Sequence, residues 1–280
     1  MNRIGLIAGN GRFPILLAQE AKKRGIEIVA VALKGETSPE IADFVDKLYW
    51  ATFVQLGKWI RIFKKEGITR AVMAGGVRKV KMFSRFRLLR FRPDLRTIRL
   101  WYRKVRDKRD YSLLQGAADE LLSEGIELQN TLELMSNHIA REGCCTKRKP
   151  TEREMKDIKF GWAVAKRMAD LQIGQCIAVK EETVVAVEAI EGTDAMMQRA
   201  GELTGGGFVI IKVSKPDQDL RFDVPTIGTK TIEVLKESGG TAIALEADRT
   251  LMLDKPEIIA AADRAGIAII ALHPESKSNP

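Results

Sequence analysis

Short apolar runs alternate with amphipathic stretches along the chain, and this alternation constrains the fold more than any other feature. Residues 3–21 set the pattern: RIGLIAGNGRFPILLAQEA runs from an apolar strand through Gly9, Asn10 and Gly11 into a helix. The spacing predicts a strand at 3–8, a helix at 13–24, a strand at 26–33, a short strand near 47–51 and a helix at 56–66. A strand near 70–74 ends in AGGV, and helix 110–123 and a short strand near 126–129 follow. Alternation of this kind implies a parallel sheet that receives ligands at the carboxyl ends of its strands. Gly9–Gly11 and Gly75–Gly76 are therefore expected on one sheet edge.

The first glycine turn opens a helix, where backbone amides and the helix dipole favour an anion. A dinucleotide fingerprint asks for a third glycine and for an acid closing the second strand. Pro14 stands at the glycine position, which suits a first helical turn. Lys34 closes the second strand, and Glu36 falls two residues late, beyond a glycine. A phosphate fits this turn better than an NAD ribose does. A tight βα turn without ligand fits the local pattern as well.

The chain has 280 residues, 45% hydrophobic and 30% charged, a balance suited to one large or two ordinary globular domains. No apolar run approaches the ~20 residues of a membrane helix. The N-terminus enters strand-like sequence without a cleavable signal pattern, so a cytoplasmic protein is expected. Cys144, Cys145 and Cys176 form no C-x-x-C, and with only His138 and His273 beside them zinc is not expected. No G-x-S-x-G nucleophile motif occurs.

Charge is unevenly placed. Residues 78–109 carry fourteen Lys and Arg against two acids, a net of +12, leaving −3 elsewhere from the total of +9. Arginines interleave there with Phe83, Phe86, Leu88, Leu89 and Phe91, then with Leu95, Ile98, Trp101 and Val105 at helical spacing. Pro93 separates two short helices. An apolar, arginine-rich segment suits an anionic membrane surface or a nucleic acid; a solvated basic face over a core stripe is the plainer alternative.

Beyond a crossover at 135–150, Thr151 and Glu154 form a capping box opening a helix to about Asp170. QCIAVKEETVVAVEA reads as a hairpin. A helix after Glu191-Gly192-Thr193-Asp194, a strand in GGGFVIIKVS, helix 229–237, strand 241–245, a short strand 250–253, helix 256–265 and strand 266–271 complete a second α/β domain with a mixed sheet. Glu188, Glu191 and Asp194 gather at a strand end, where Thr193 or Asp194 alone would suffice as an N-cap. Asp217, Asp219 and Asp223 share one side of an extended stretch leading to Pro225 and a helix start at Thr226, with Thr226 as a capping alternative. Clustered acids of this kind bind Mg²⁺ or deprotonate water. Cations and glycine turns on one domain, acids on the other and a cleft between them suit a phosphoanhydride.

Five stretches occur in order: GLIAGNGRFP, AGGV, LQIGQCIAV, VVAVEAIEGTDAMMQRAG and RFDVPTIGTKTI. Through them nearly the whole chain resembles the LpxI family, UDP-2,3-diacylglucosamine pyrophosphatases of lipid A biosynthesis. The resemblance implies two α/β domains with substrate between them: a Rossmann-like parallel-sheet domain at 1–132 carrying the basic insert 78–109, and a catalytic domain at 135–275 with a mixed sheet. It implies cleavage of UDP-2,3-diacylglucosamine to 2,3-diacylglucosamine 1-phosphate (lipid X) and UMP with Mg²⁺ or Mn²⁺. The catalytic acid of the D-x-P-T-x-G motif falls on Asp223, and Asp223 with Asp194 are the expected metal ligands. The expected substrate-binding residues are Gly9, Gly11, Arg12, Gly75, Gly76, Lys81, Arg106, Gln175, Glu188, Glu191, Gly192, Thr193 and Asp194. Arg12 stands where the family often has a small residue, and Arg78, Lys79 and Lys81 make the second turn unusually basic. A cytoplasmic enzyme lying peripherally on the inner membrane, without nucleic acid, is expected; a homodimer is compatible with it. A nucleotide-dependent oxidoreductase and a nucleic-acid-binding protein are the competing readings.

Overall fold

The computed structural model describes residues 2–77, 93–100, 110–215, 218–221 and 224–273. The chain divides into two compact units, Met1–Met135 with Leu220–Phe222, and Ser136–Asp219 with Asp223–Pro280.

The first unit runs β1 (Arg3–Ala8), α1 (Phe13–Lys23), β2 (Glu27–Leu33), β3 (Lys47–Ala51), α2 (Leu56–Lys65), β4 (Arg70–Ala74), α3 (Leu95–Arg99), α4 (Asp110–Ser123) and β5 (Glu127–Leu128). Its five strands are all parallel, in the order β3-β2-β1-β4-β5. The expected Rossmann-like domain is thus observed. β2, EIVAVAL, is buried from Ile28 to Leu33 without alternation, because a parallel strand is covered on both faces. In α2, Leu56, Trp59, Ile60 and Phe63 recur at helical spacing and are all buried.

The second unit runs β6 (Gly143–Cys144), α5 (Glu152–Asp170), β7 (Cys176–Lys180), β8 (Thr183–Val187), α6 (Thr193–Thr204), β9 (Val209–Lys212), β10 (Thr226–Ile227), α7 (Thr229–Glu237), β11 (Ala242–Glu246), β12 (Leu251–Met252), α8 (Lys255–Ala265) and β13 (Ala268–Leu272). Its six-stranded sheet is mixed, in the order β6-β13-β11-β9-β7-β8. β9, β11 and β13 are parallel, whereas β7 runs antiparallel to β8 and β9, and β6 antiparallel to β13. The capping box forms as expected: Glu154 N–H donates to Thr151 Oγ1, and Thr151 N–H donates to Glu154 Oε2 at 2.7 Å.

Two expectations are corrected. Thr226 caps no helix; it lies in β10 against Leu251, and α7 starts at Thr229 behind Gly228. The two-residue β10–β12 pairing takes up the backbone that a helix start there would have used. Within the basic insert only 93–100 are described. There α3 begins behind Pro93 with Asp94 as N-cap, its carboxylate accepting from Thr97 N–H at 2.8 Å. Leu95 is 86% exposed and Ile98 39%, so these two residues form no core stripe. No helix among the described residues is long and apolar enough to cross a membrane.

Candidate active site

The two glycine turns meet where β1 and β4 end side by side, with Ala8 opposite Ala74. Gly9 N–H donates to Ala74 O and Asn10 N–H to Gly76 O, both at 2.8 Å. A Cβ on Gly9 would stand 2.5 Å from Gly76 O, and one on Gly75 would strike Asn10 O, at a φ of 80°. Glycine is required by this backbone contact. The contact also takes up two amides, so the cradle expected over the whole Gly9–Gly11 turn narrows to the backbone beyond Asn10. There Gly11, with φ 84°, leads into α1, whose N-cap, the exposed Arg12, makes no side-chain capping bond.

Glu36 is nearer than its spacing implied. Thr37 Oγ1 donates to Ala8 O at 2.5 Å and accepts from Leu33 N–H at 2.8 Å, folding the chain after β2 back onto the end of β1. Asn10 Nδ2 then donates to Glu36 Oε2 at 3.3 Å. Counting residues past the strand could not reveal this return.

In the second unit the polar groups collect at the edge formed by the carboxyl ends of β8, β9 and β11 and the amino end of β7. Cys176 lies opposite Lys212, and Ile177 opposite Val187. Gln175 N–H donates to Glu188 Oε2 at 3.2 Å, while Gln175 O accepts from Val213 N–H at 2.9 Å. Thr193 Oγ1 donates to Glu188 Oε1 at 2.6 Å and accepts from Lys212 Nζ at 3.1 Å. Gln175, Glu188 and Thr193, three of the expected substrate-binding residues, are thus brought together around a lysine absent from that set. Its signal was a charge closing the apolar run VIIK. The same signal marks Glu246, which ends AIALE and is 1% exposed. Glu246 accepts from Lys166 Nζ at 3.0 Å and from Ser214 N–H at 2.7 Å.

The three acids of the Glu188–Asp194 turn each meet different partners. Glu188 is bound as above, Glu191 pairs with Arg199 at 3.1 Å, and Asp194 pairs with Lys230 at 3.0 Å. Hydrogen bonds from backbone amides, its own first, and the Arg199 contact hold the Glu191 carboxyl below the usual range. The Asp194 contact raises Lys230. Neither Thr193 nor Asp194 caps α6; Gly192 is the N-cap, at a φ of 89°. Among the described residues no three His, Cys, Asp or Glu side chains form a metal cluster. Mg²⁺ keeps several waters and leans on substrate phosphates, so one or two carboxylates suffice for it. Asp194 fits as one such ligand if Lys230 yields. Asp223, Lys81 and Arg106 lie outside the described residues.

Comparison with known proteins agrees with this layout. Residues 3–138 match the LpxI N-terminal domain and residues 141–270 the LpxI C-terminal domain. The UDP-2,3-diacylglucosamine pyrophosphatase LpxI of Caulobacter vibrioides is 33% identical over 290 residues, spanning 99% of this chain and 100% of its own. A bifunctional purine biosynthesis protein PurH of Anaeromyxobacter dehalogenans is 30% identical over 135 residues, 48% of this chain but 24% of its own. With both halves and a full-length relative matched, the chain belongs to the LpxI family.

Proposed function

We propose that the protein hydrolyses the diphosphate of UDP-2,3-diacylglucosamine to 2,3-diacylglucosamine 1-phosphate and UMP, in lipid A biosynthesis. The end-to-end match to a relative named for this substrate carries the reading. It is supported by polar groups collected at carboxyl strand ends in both units, where open α/β sheets take their ligands.

Water bonds to one phosphorus, the bridging P–O bond breaks, and Asp223 accepts the proton of the attacking water. Asp223 precedes Pro225 by two residues, and proline holds the residue before it extended. The start of α1 beyond Gly11, with Arg12, offers amides and charge to one phosphate. Mg²⁺ or Mn²⁺, held by Asp223 and Asp194, would neutralise the diphosphate. The exposed Leu95 and Ile98, set in an arginine-rich segment, support peripheral contact with an anionic membrane.

The test is UMP release from UDP-2,3-diacylglucosamine by pure protein with Mg²⁺. Turnover stopped by EDTA and restored by Mg²⁺ is expected; no UMP with either Mg²⁺ or Mn²⁺ refutes the reading. Asp223→Ala is expected to lower turnover at least 10²–10⁴-fold with the melting temperature kept; turnover within threefold of wild type removes Asp223 from the chemistry.

A further inference from the structure

A lysine ammonium carries a full charge and three N–H donors. Lys212 is 7% exposed. Among the described residues its ammonium makes one hydrogen bond, to the neutral hydroxyl of Thr193 at 3.1 Å, and no ion pair. Lys166 shows what this protein ordinarily does with such a group: it meets Glu246 at 3.0 Å and Ser214 O at 2.8 Å. A buried cation without a directly paired counter-charge is costly, and among the described residues the Glu188 carboxylate reaches Lys212 through the Thr193 hydroxyl rather than in an ion pair. The strand neighbour opposite Lys212 is Cys176, fully buried, whose thiol is pushed up by burial and supplies no negative charge.

The Lys212 ammonium is also aimed. Thr193 commits its hydroxyl proton to Glu188 Oε1 at 2.6 Å, so toward Lys212 its oxygen can only accept. Glu188 is itself steadied by Gln175 N–H. One donor of the ammonium is thereby spent and two are left over. Two further buried polar atoms at this sheet edge, Gln175 Oε1 and Ser214 Oγ, have no hydrogen-bond partner among the described residues.

We propose that Lys212 is a phosphate-binding cation of the second unit: held by the Glu188–Thr193 pair at the end of β9, it donates to oxygens of the substrate diphosphate, which meets the ammonium directly with negative charge. This rests on the proposed reaction and adds a substrate-contacting residue to it.

Lys212→Met and Lys212→Gln test the idea beside wild type in three measurements. Preorganised electrostatic donors are typically worth about 10²–10³-fold, so kcat/KM is expected to fall by that factor in both variants. Affinity for uridine diphosphate, measured by calorimetry, is expected to fall about tenfold or more. The melting temperature is expected to hold or rise, since an unpaired buried charge has been removed. Turnover within threefold of wild type in either variant overturns the proposal, as does unchanged affinity for uridine diphosphate in both. A collapse of the melting temperature in both variants makes Lys212 structural and overturns it too. Wild-type protein that binds uridine diphosphate but releases no UMP refutes the proposed reaction, and the affinity arm still decides Lys212.

Discussion

Glu154 shows how much one side chain can carry. Burial alone would push its carboxyl up, but the bidentate Arg148 contact at 2.8 Å, a hydrogen bond from Thr241 and the Thr151 amide together hold it down at about 2. The folded value lies below the ordinary glutamate value of about 4.3. Its stabilisation is therefore complete above pH ~5 and fades as pH falls toward 2, amounting to roughly 3 kcal/mol. Glu154→Gln should lower stability at pH 7 and flatten the acid limb of a melting-temperature profile between pH 5 and 2; an unchanged limb would refute this. Gly9 is the opposite case, defined by what it lacks. Its Cβ would meet a backbone carbonyl, which cannot swing aside like a side-chain tip. Gly9→Ala should cost about 1–3 kcal/mol, read as a lowered denaturation midpoint, together with lost turnover.

At the scale of elements, the β7–β8 hairpin carries backbone strain. Its two turn residues, Glu181 and Glu182, sit at φ 52° and 53°, a conformation that Asn-Gly adopts at little cost. α5 holds the turn in place: Glu182 N–H donates to Asp157 Oδ1 at 2.6 Å, and Arg153 pairs with Glu181. Replacing the pair by Asn-Gly keeps the amide and relieves the strain, so stability should rise by about 1–2 kcal/mol in a urea titration; a fall would show that the glutamate side chains matter more than the backbone. α3 is anchored differently. Arg96 reaches Glu124 at 2.5 Å, so this arginine is turned toward α4, while Leu95 and Ile98 face out.

The whole molecule carries +9 with its positive charge concentrated between residues 78 and 109. A basic residue near an anionic leaflet is worth about 1 kcal/mol, and salt at 0.15 M screens beyond about 8 Å. Binding to anionic vesicles should therefore be strong at low salt and fall steeply as salt rises, with neutral vesicles bound weakly. Leu95→Asp with Ile98→Asp should weaken vesicle binding at least about tenfold, given ~1.5–3 kcal/mol per buried aliphatic side chain. Equal binding to neutral and anionic vesicles would remove the membrane role, and tighter binding to RNA would transfer it to nucleic acid.

Much of this architecture was legible in one dimension, because periodicity and end signals are local. The unbroken apolar run of β2, the helical spacing of Leu56 to Phe63, and Thr151 with Glu154 each declare an element from neighbouring residues alone. Parallel pairing of β1 with β4 followed from their alternation with helices, and it put Gly9 beside Gly75 as expected. The partners of charged groups were not legible, because they come from distant segments. Glu36 reaches Asn10 only because Thr37 folds the chain back. Asp194 meets Lys230 of the next helix and Glu191 meets Arg199, and neither partner is signalled by the residues around the Glu188–Asp194 turn. Lys212 lay hidden in VIIK. Its burial and single bond arise from the register of β9 against β7 and from the turn that delivers Thr193, and register is a tertiary choice. Hydrophobic pattern is written along the chain, whereas the pairing of charges depends on which strands and helices come to lie side by side.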